Sequence, residues 1–105
     1  MKPTFIARQG DVLIVEVRSI PKDAKDITPE GPLVLAFGEV TTHSHAIYET
    51  KKARLLDVQA ERYLQVVSEA TLRHEEHGAI VLREGRYQQA FQTEEFGEEV
   101  RAVAD

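Results

Sequence analysis

Short runs of β-branched and apolar residues, each closed off by turn-forming residues, constrain this chain more than any other feature. Residues 12–17 (VLIVEV) and 33–37 (LVLAF) are two such runs, and residues 42–49 (THSHAIYE), 53–59 (ARLLDVQ) and 62–67 (RYLQVV) follow. Residues 70–76 (ATLRHEE), 78–82 (GAIVL) and 86–92 (RYQQAFQ) complete the series. Runs this short suit strands rather than helices. Their recurrence every eight to twelve residues or so predicts an all-β chain: a small single-domain β-barrel or sandwich of about seven or eight strands. Gly38 is expected to be a bend or bulge. Residues 18–32 hold Pro21, Pro29, Pro32 and Gly31 and read as a long loop, either a surface excursion or a cover over a site. Residues 93–104 (TEEFGEEVRAVA) leave room for a short C-terminal helix capped by Thr93, although Gly97 interrupts it.

The chain of 105 residues is long enough for one core and too short for two. The expected division is a β-barrel domain over residues 1–93 and an acidic C-terminal tail over residues 94–105. That tail holds five acids against Arg101, so it carries −4 of the net charge of −5. The nearly neutral body neither selects nor excludes a polyanionic partner. No apolar run approaches the roughly 18–20 residues that cross a bilayer, and the first residues lack the apolar core of a signal peptide, so a cytoplasmic protein is expected. The absence of cysteine removes disulfides, thiolate ligands and a thiol nucleophile, leaving histidine and carboxylate as the ligand types available.

All four histidines fall in two windows, GEVTTHSHAIYE (38–49) and RHEEHG (73–78). On a strand, alternate residues share a face, so His43, His45, Ile47 and Glu49 are expected on one side. Two imidazoles and a carboxylate on one face form a partial ligand set for a divalent metal such as Zn, Fe, Mn or Ni. His74 or His77 would complete it, and both can join only if Glu75 and Glu76 turn before Gly78. The expected metal ligands are therefore His43, His45, Glu49, His74 and His77. If the domain is catalytic, the metal would act as Lewis acid or water activator on a small polar substrate, and His43, His45, His74 and His77 are the candidate catalytic residues.

The same residues support two other readings. Paired imidazoles serve as general base and general acid in a metal-independent nuclease or phosphodiesterase, with Lys51, Lys52, Arg54 or Arg73 offsetting phosphate charge. In the other, the protein is a non-enzymatic binding or assembly module, and the histidines are half-buried sheet residues bonded to Glu49, Glu75 or Glu76. A small-molecule or nucleotide ligand and a homodimer are the expected partners, the latter because small β-domains often pair their edges.

Gly38, His43, His45 and Glu49 resemble the first motif of the cupin superfamily, with a glycine-to-histidine spacer one residue shorter than usual. The resemblance implies that these histidines and Glu49 bind metal together with one histidine of a second motif. RHEEHGAIVLREGRY lacks the Pro-x-Gly that precedes the histidine in that second motif. Over most of its length the chain is similar to a group of small uncharacterised bacterial and phage proteins sharing Gly-Asp-Val-Leu, Gly-Glu-Val-Thr-x-His-x-His and His-Glu-Glu-His segments.

Overall fold

The computed structural model describes residues 5–10, 12–37, 43–91 and 102–104. Among the described residues there are eleven strands and no helix. They are β1 (Ile6–Gln9), β2 (Val12–Glu16), β3 (Lys25–Asp26), β4 (Leu33–Phe37), β5 (Ser44–Ile47), β6 (Ala53–Val58), β7 (Glu61–Val66), β8 (Ala70–Arg73), β9 (Ile80–Leu82), β10 (Gly85–Phe91) and β11 (Ala102–Ala104). A seven-stranded sheet has the order β11-β1-β2-β10-β7-β6-β3, and a four-stranded sheet has the order β4-β5-β8-β9. Every pairing is antiparallel except β1 with β11. Among the described pairings neither sheet closes on itself, so the barrel half of the expectation gives way to two separate sheets.

One apolar cluster joins the sheets. The larger sheet supplies Ala7, Val12, Ile14, Leu55, Leu64, Val66 and Tyr87, and the smaller one Leu33, Leu35, Ile47, Leu72 and Leu82. In β1 and β2 the pairs Ala7↔Ile14 and Gln9↔Val12 set these four side chains on the same face. Gln9 therefore points toward the core and is fully buried there. A polar side chain in that position needs hydrogen-bond partners, which the smaller sheet provides.

A bulge at Leu35 interrupts the β4–β5 ladder, because Val34 pairs with Ala46 whereas Ala36 pairs with His45. The Leu35 carbonyl accepts hydrogen bonds from Arg62 Nη1 at 3.2 Å and Gln89 Nε2 at 3.0 Å, both from the larger sheet. The bulge expected at Gly38 falls outside the described residues, as do residues 93–101 of the expected C-terminal helix. Residues 102–104 are extended and pair in parallel with β1.

The long loop is tied to the sheet. Residues Lys25 and Asp26 pair with β6, the Ile27 N–H donates to the Leu55 carbonyl at 2.8 Å, and the Leu55 N–H donates to Thr28 Oγ1 at 2.9 Å. Arg54 and Asp26 form an ion pair at 2.8 Å. These bonds make it a pinned excursion along the edge of β6.

Candidate functional site

Strand β5 carries His45, and His43 stands one residue before its start. Its antiparallel neighbour β8 ends at Arg73, and the chain then bends through Glu75, Glu76 and His77. The end of one strand and the start of its neighbour thus meet at one pole of the smaller sheet. The four imidazoles gather there: His74 lies with ring centroids 5.5 Å from His43, 4.4 Å from His45 and 4.5 Å from His77. His45 and His77 are nearly parallel, with centroids 5.9 Å apart.

Each ring has its own surroundings. His45 is buried, with Nδ1 2.9 Å from Gln9 Oε1. His74 Nδ1 accepts a hydrogen bond from the Glu76 backbone N–H at 3.0 Å. Burial, and then the neighbouring His77, hold the His74 pKa below the ordinary histidine value; His43 adds to this, while Glu75 and Glu76 pull the other way. His43 Nδ1 is 3.6 Å from the Glu76 carboxylate. His77 packs against Gly10, where an added Cβ would lie 2.8 Å from its Nε2. The His77 Nδ1 atom is buried and has no hydrogen-bond partner among the described residues.

Glu75 places its carboxylate at the same pole. Its Oε1 accepts a 2.7 Å hydrogen bond from the Ser44 N–H, which is the first cause of its lowered pKa. One ligand atom each from His43, His74 and Glu75 lie within 4.8 Å of one another. A small cleft of about 190 Å³ opens beside them, lined by Tyr48, Arg73, His74 and Glu75.

Glu49 is placed elsewhere. Strand β5 stops at Ile47, and the Glu49 carboxylate accepts the Thr71 N–H at 3.0 Å. It lines a separate cleft of about 570 Å³ together with residues 28–31, Lys51 and Arg54. Lys51 and Arg54 belong to that cleft, whereas Arg73 is beside the histidines. The sequence did not single out Gln9 or Gly10 for the pole, and it offered Glu75 as part of a turn and as a hydrogen-bond partner for the histidines, not as a metal ligand. The signal available for Gly10 was its place just before the apolar run at residues 12–17; for Gln9 there was none beyond its place before that glycine.

No curated protein and no solved structure matches this chain. A family model matches residues 8–92, which take in both histidine windows and Gln9, and the chain belongs to that family, a domain of unknown function (DUF8820).

Proposed function

We propose that the protein is a small β-sandwich that binds one divalent transition-metal ion at its histidine pole, with His43, His74 and Glu75 as the outer ligands and His45 and His77 behind them. The observation that carries this reading is the convergence of four imidazoles from two separate segments. Metal–nitrogen bonds of about 2.0–2.1 Å put the centroids of two imidazoles on one tetrahedral ion about 5 Å apart. The observed separations of 4.4 to 5.9 Å bracket that spacing. The His77 Nδ1, unpartnered among the described residues, adds support, since a buried polar atom without a partner costs about 1–3 kcal/mol that a ligand or ion would relieve. Nitrogen and carboxylate donors without sulfur suit Zn, Ni, Fe or Mn. A bound ion of this kind supplies Lewis acidity or an activated water, and the cleft of about 190 Å³ has room for a small polar ligand beside it.

His74 must change its hydrogen bonding to join an ion. Its Nδ1 lone pair is occupied by the Glu76 N–H, so metal capture requires the bend at residues 75–77 to shift. The same bond favours a second reading. With Nδ1 accepting, neutral His74 carries its proton on Nε2, where it can hydrogen-bond a substrate oxygen while another imidazole of the cluster serves as the base. The acidic neighbours Glu75 and Glu76 weigh against a polyanionic substrate, so metal binding ranks first.

The test is calorimetric titration of tag-free protein with Zn²⁺, Ni²⁺, Mn²⁺ and Fe²⁺ in turn. One equivalent is expected to bind, and His43→Ala and His74→Ala should each weaken it. If no ion binds stoichiometrically the metal reading is wrong; phosphodiester cleavage that persists in EDTA would put the second reading in its place.

A further inference from the structure

We infer that Gln9 is a positioning residue that fixes the proton of His45 on Nδ1 and so turns the Nε2 lone pair into the coordinating end of that ring. The inference follows from the hydrogen bonds alone. Gln9 Nε2 donates to two backbone carbonyls, Leu72 at 3.0 Å and Gly78 at 2.9 Å. Carbonyls only accept, so the amide nitrogen must face them and the amide oxygen must face His45. That oxygen, Oε1, lies 2.9 Å from His45 Nδ1 and can only accept in turn. His45 Nδ1 therefore carries the hydrogen, and in a neutral imidazole the lone pair is then on Nε2.

The same amide joins both histidine windows to the larger sheet. One end holds the ring of His45, and the other holds the Gly78 carbonyl directly after His77. Gln9 can do this because the β1–β2 register points it into the core with no exposed surface. Bonds of this kind raise the basicity of a coordinating ring and set its direction, and their loss costs about 10- to 100-fold in metal affinity. That consequence for affinity rests on the metal-binding reading above; the tautomer does not.

The experiment compares the metal-free wild type with Gln9→Glu and Gln9→Leu by ¹⁵N–¹H correlation of the imidazoles, and then measures Zn²⁺ affinity for each. Both variants lose the two carbonyl bonds, but Gln9→Glu keeps an acceptor facing His45 Nδ1. The wild type and Gln9→Glu should show His45 protonated on Nδ1, and Gln9→Leu should show a shift toward Nε2 protonation. Zinc affinity should fall by about 10- to 100-fold in Gln9→Leu relative to Gln9→Glu. A merely structural role for Gln9 would leave the two variants alike in tautomer and affinity, and that result overturns the inference. So does a wild-type spectrum with His45 protonated on Nε2, which decides the matter even where the variants do not fold. A wild type that shows the Nδ1 proton but binds no zinc sinks the metal reading and leaves the tautomer assignment standing.

Discussion

A Cβ added at Gly10 would lie 2.8 Å from His77 Nε2 and 3.3 Å from His45 Cε1, and the φ of this residue, 57°, lies in the left-handed region. Gly10→Ala should therefore act twice. The backbone conformation costs about 1–2 kcal/mol for a residue with a side chain, and the His77 ring must move away. The expected result is a folded protein with a lower denaturation midpoint and a displaced His77 imidazole resonance; an unshifted His77 would show that the ring does not depend on this contact. The confinement of histidine to two short windows made the neighbourhood of His43, His45, His74 and His77 legible in the sequence, and their role is the proposal made above. The placement of Glu49 was not legible, because sharing a strand face says nothing about reach. At about 3.3 Å per residue, Glu49 lies about 13 Å beyond His45 along an extended chain, and the strand ends before it. Gln9 escaped notice for a different reason. A glutamine closing a four-residue strand gives no periodic signal, and its importance arises from contacts with residues more than sixty positions away.

The hairpin between β6 and β7 turns through Gln59 and Ala60, with φ of 51° and 66°. Two left-handed residues in a two-residue loop match the twist of the strands, but glycine and asparagine suit them far better. Ala60→Gly should stabilise the protein by about 1 kcal/mol, seen as a rise in the denaturation midpoint with an unchanged m-value; a fall would mean that the turn is not strained at this position. The pinned loop makes a pH-dependent expectation. Hydrogen bonds from the Thr28 hydroxyl and N–H, and then Arg54, hold the Asp26 pKa below its ordinary value of 3.8. A carboxylate depressed by folding binds fewer protons in the folded state, so its stabilisation is complete above about pH 3.8 and is lost as the pH falls through the lower, folded value. The protection of the Ile27 and Thr28 amides against exchange, relative to the unfolded chain at the same pH, should accordingly fall with acid in the wild type, with this dependence absent from Asp26→Ala. The eight apolar runs became β2 and β4 to β10 because each contains enough β-branched or large apolar residues to bury a face. Strands β1, β3 and β11 gave no such signal. Arg8 and Gln9 break the first, β3 has two residues inside a proline-rich loop, and β11 is an Ala-Val-Ala stretch at the end of an acidic segment.

At the scale of the molecule, an ion that binds the folded pole and not the unfolded chain raises stability by mass action. Free metal at a hundred times the dissociation constant adds about 2.7 kcal/mol, which for a domain of this size is a rise of roughly 10–20 °C in Tm. Zinc should produce such a rise in the wild type and EDTA should reverse it, whereas His74→Ala should show neither; an identical rise in that variant would place the ion elsewhere. The two-sheet arrangement was only coarsely legible, since strand count and spacing are shared by barrels and sandwiches and closure depends on pairings between distant strands. The parallel pairing of β11 with β1 brings a last consequence. Ala104 is the register partner of Gln9, so β11 ends beside the residue that holds His45. Ile6 lies at the other end of β1, about 10 Å away along the strand. A hexahistidine tag appended after Asp105 would hang next to the four native histidines and compete with them for any ion supplied. Metal measurements on this protein are best made with the affinity handle removed, because a handle at that end is itself a ligand within reach of the site.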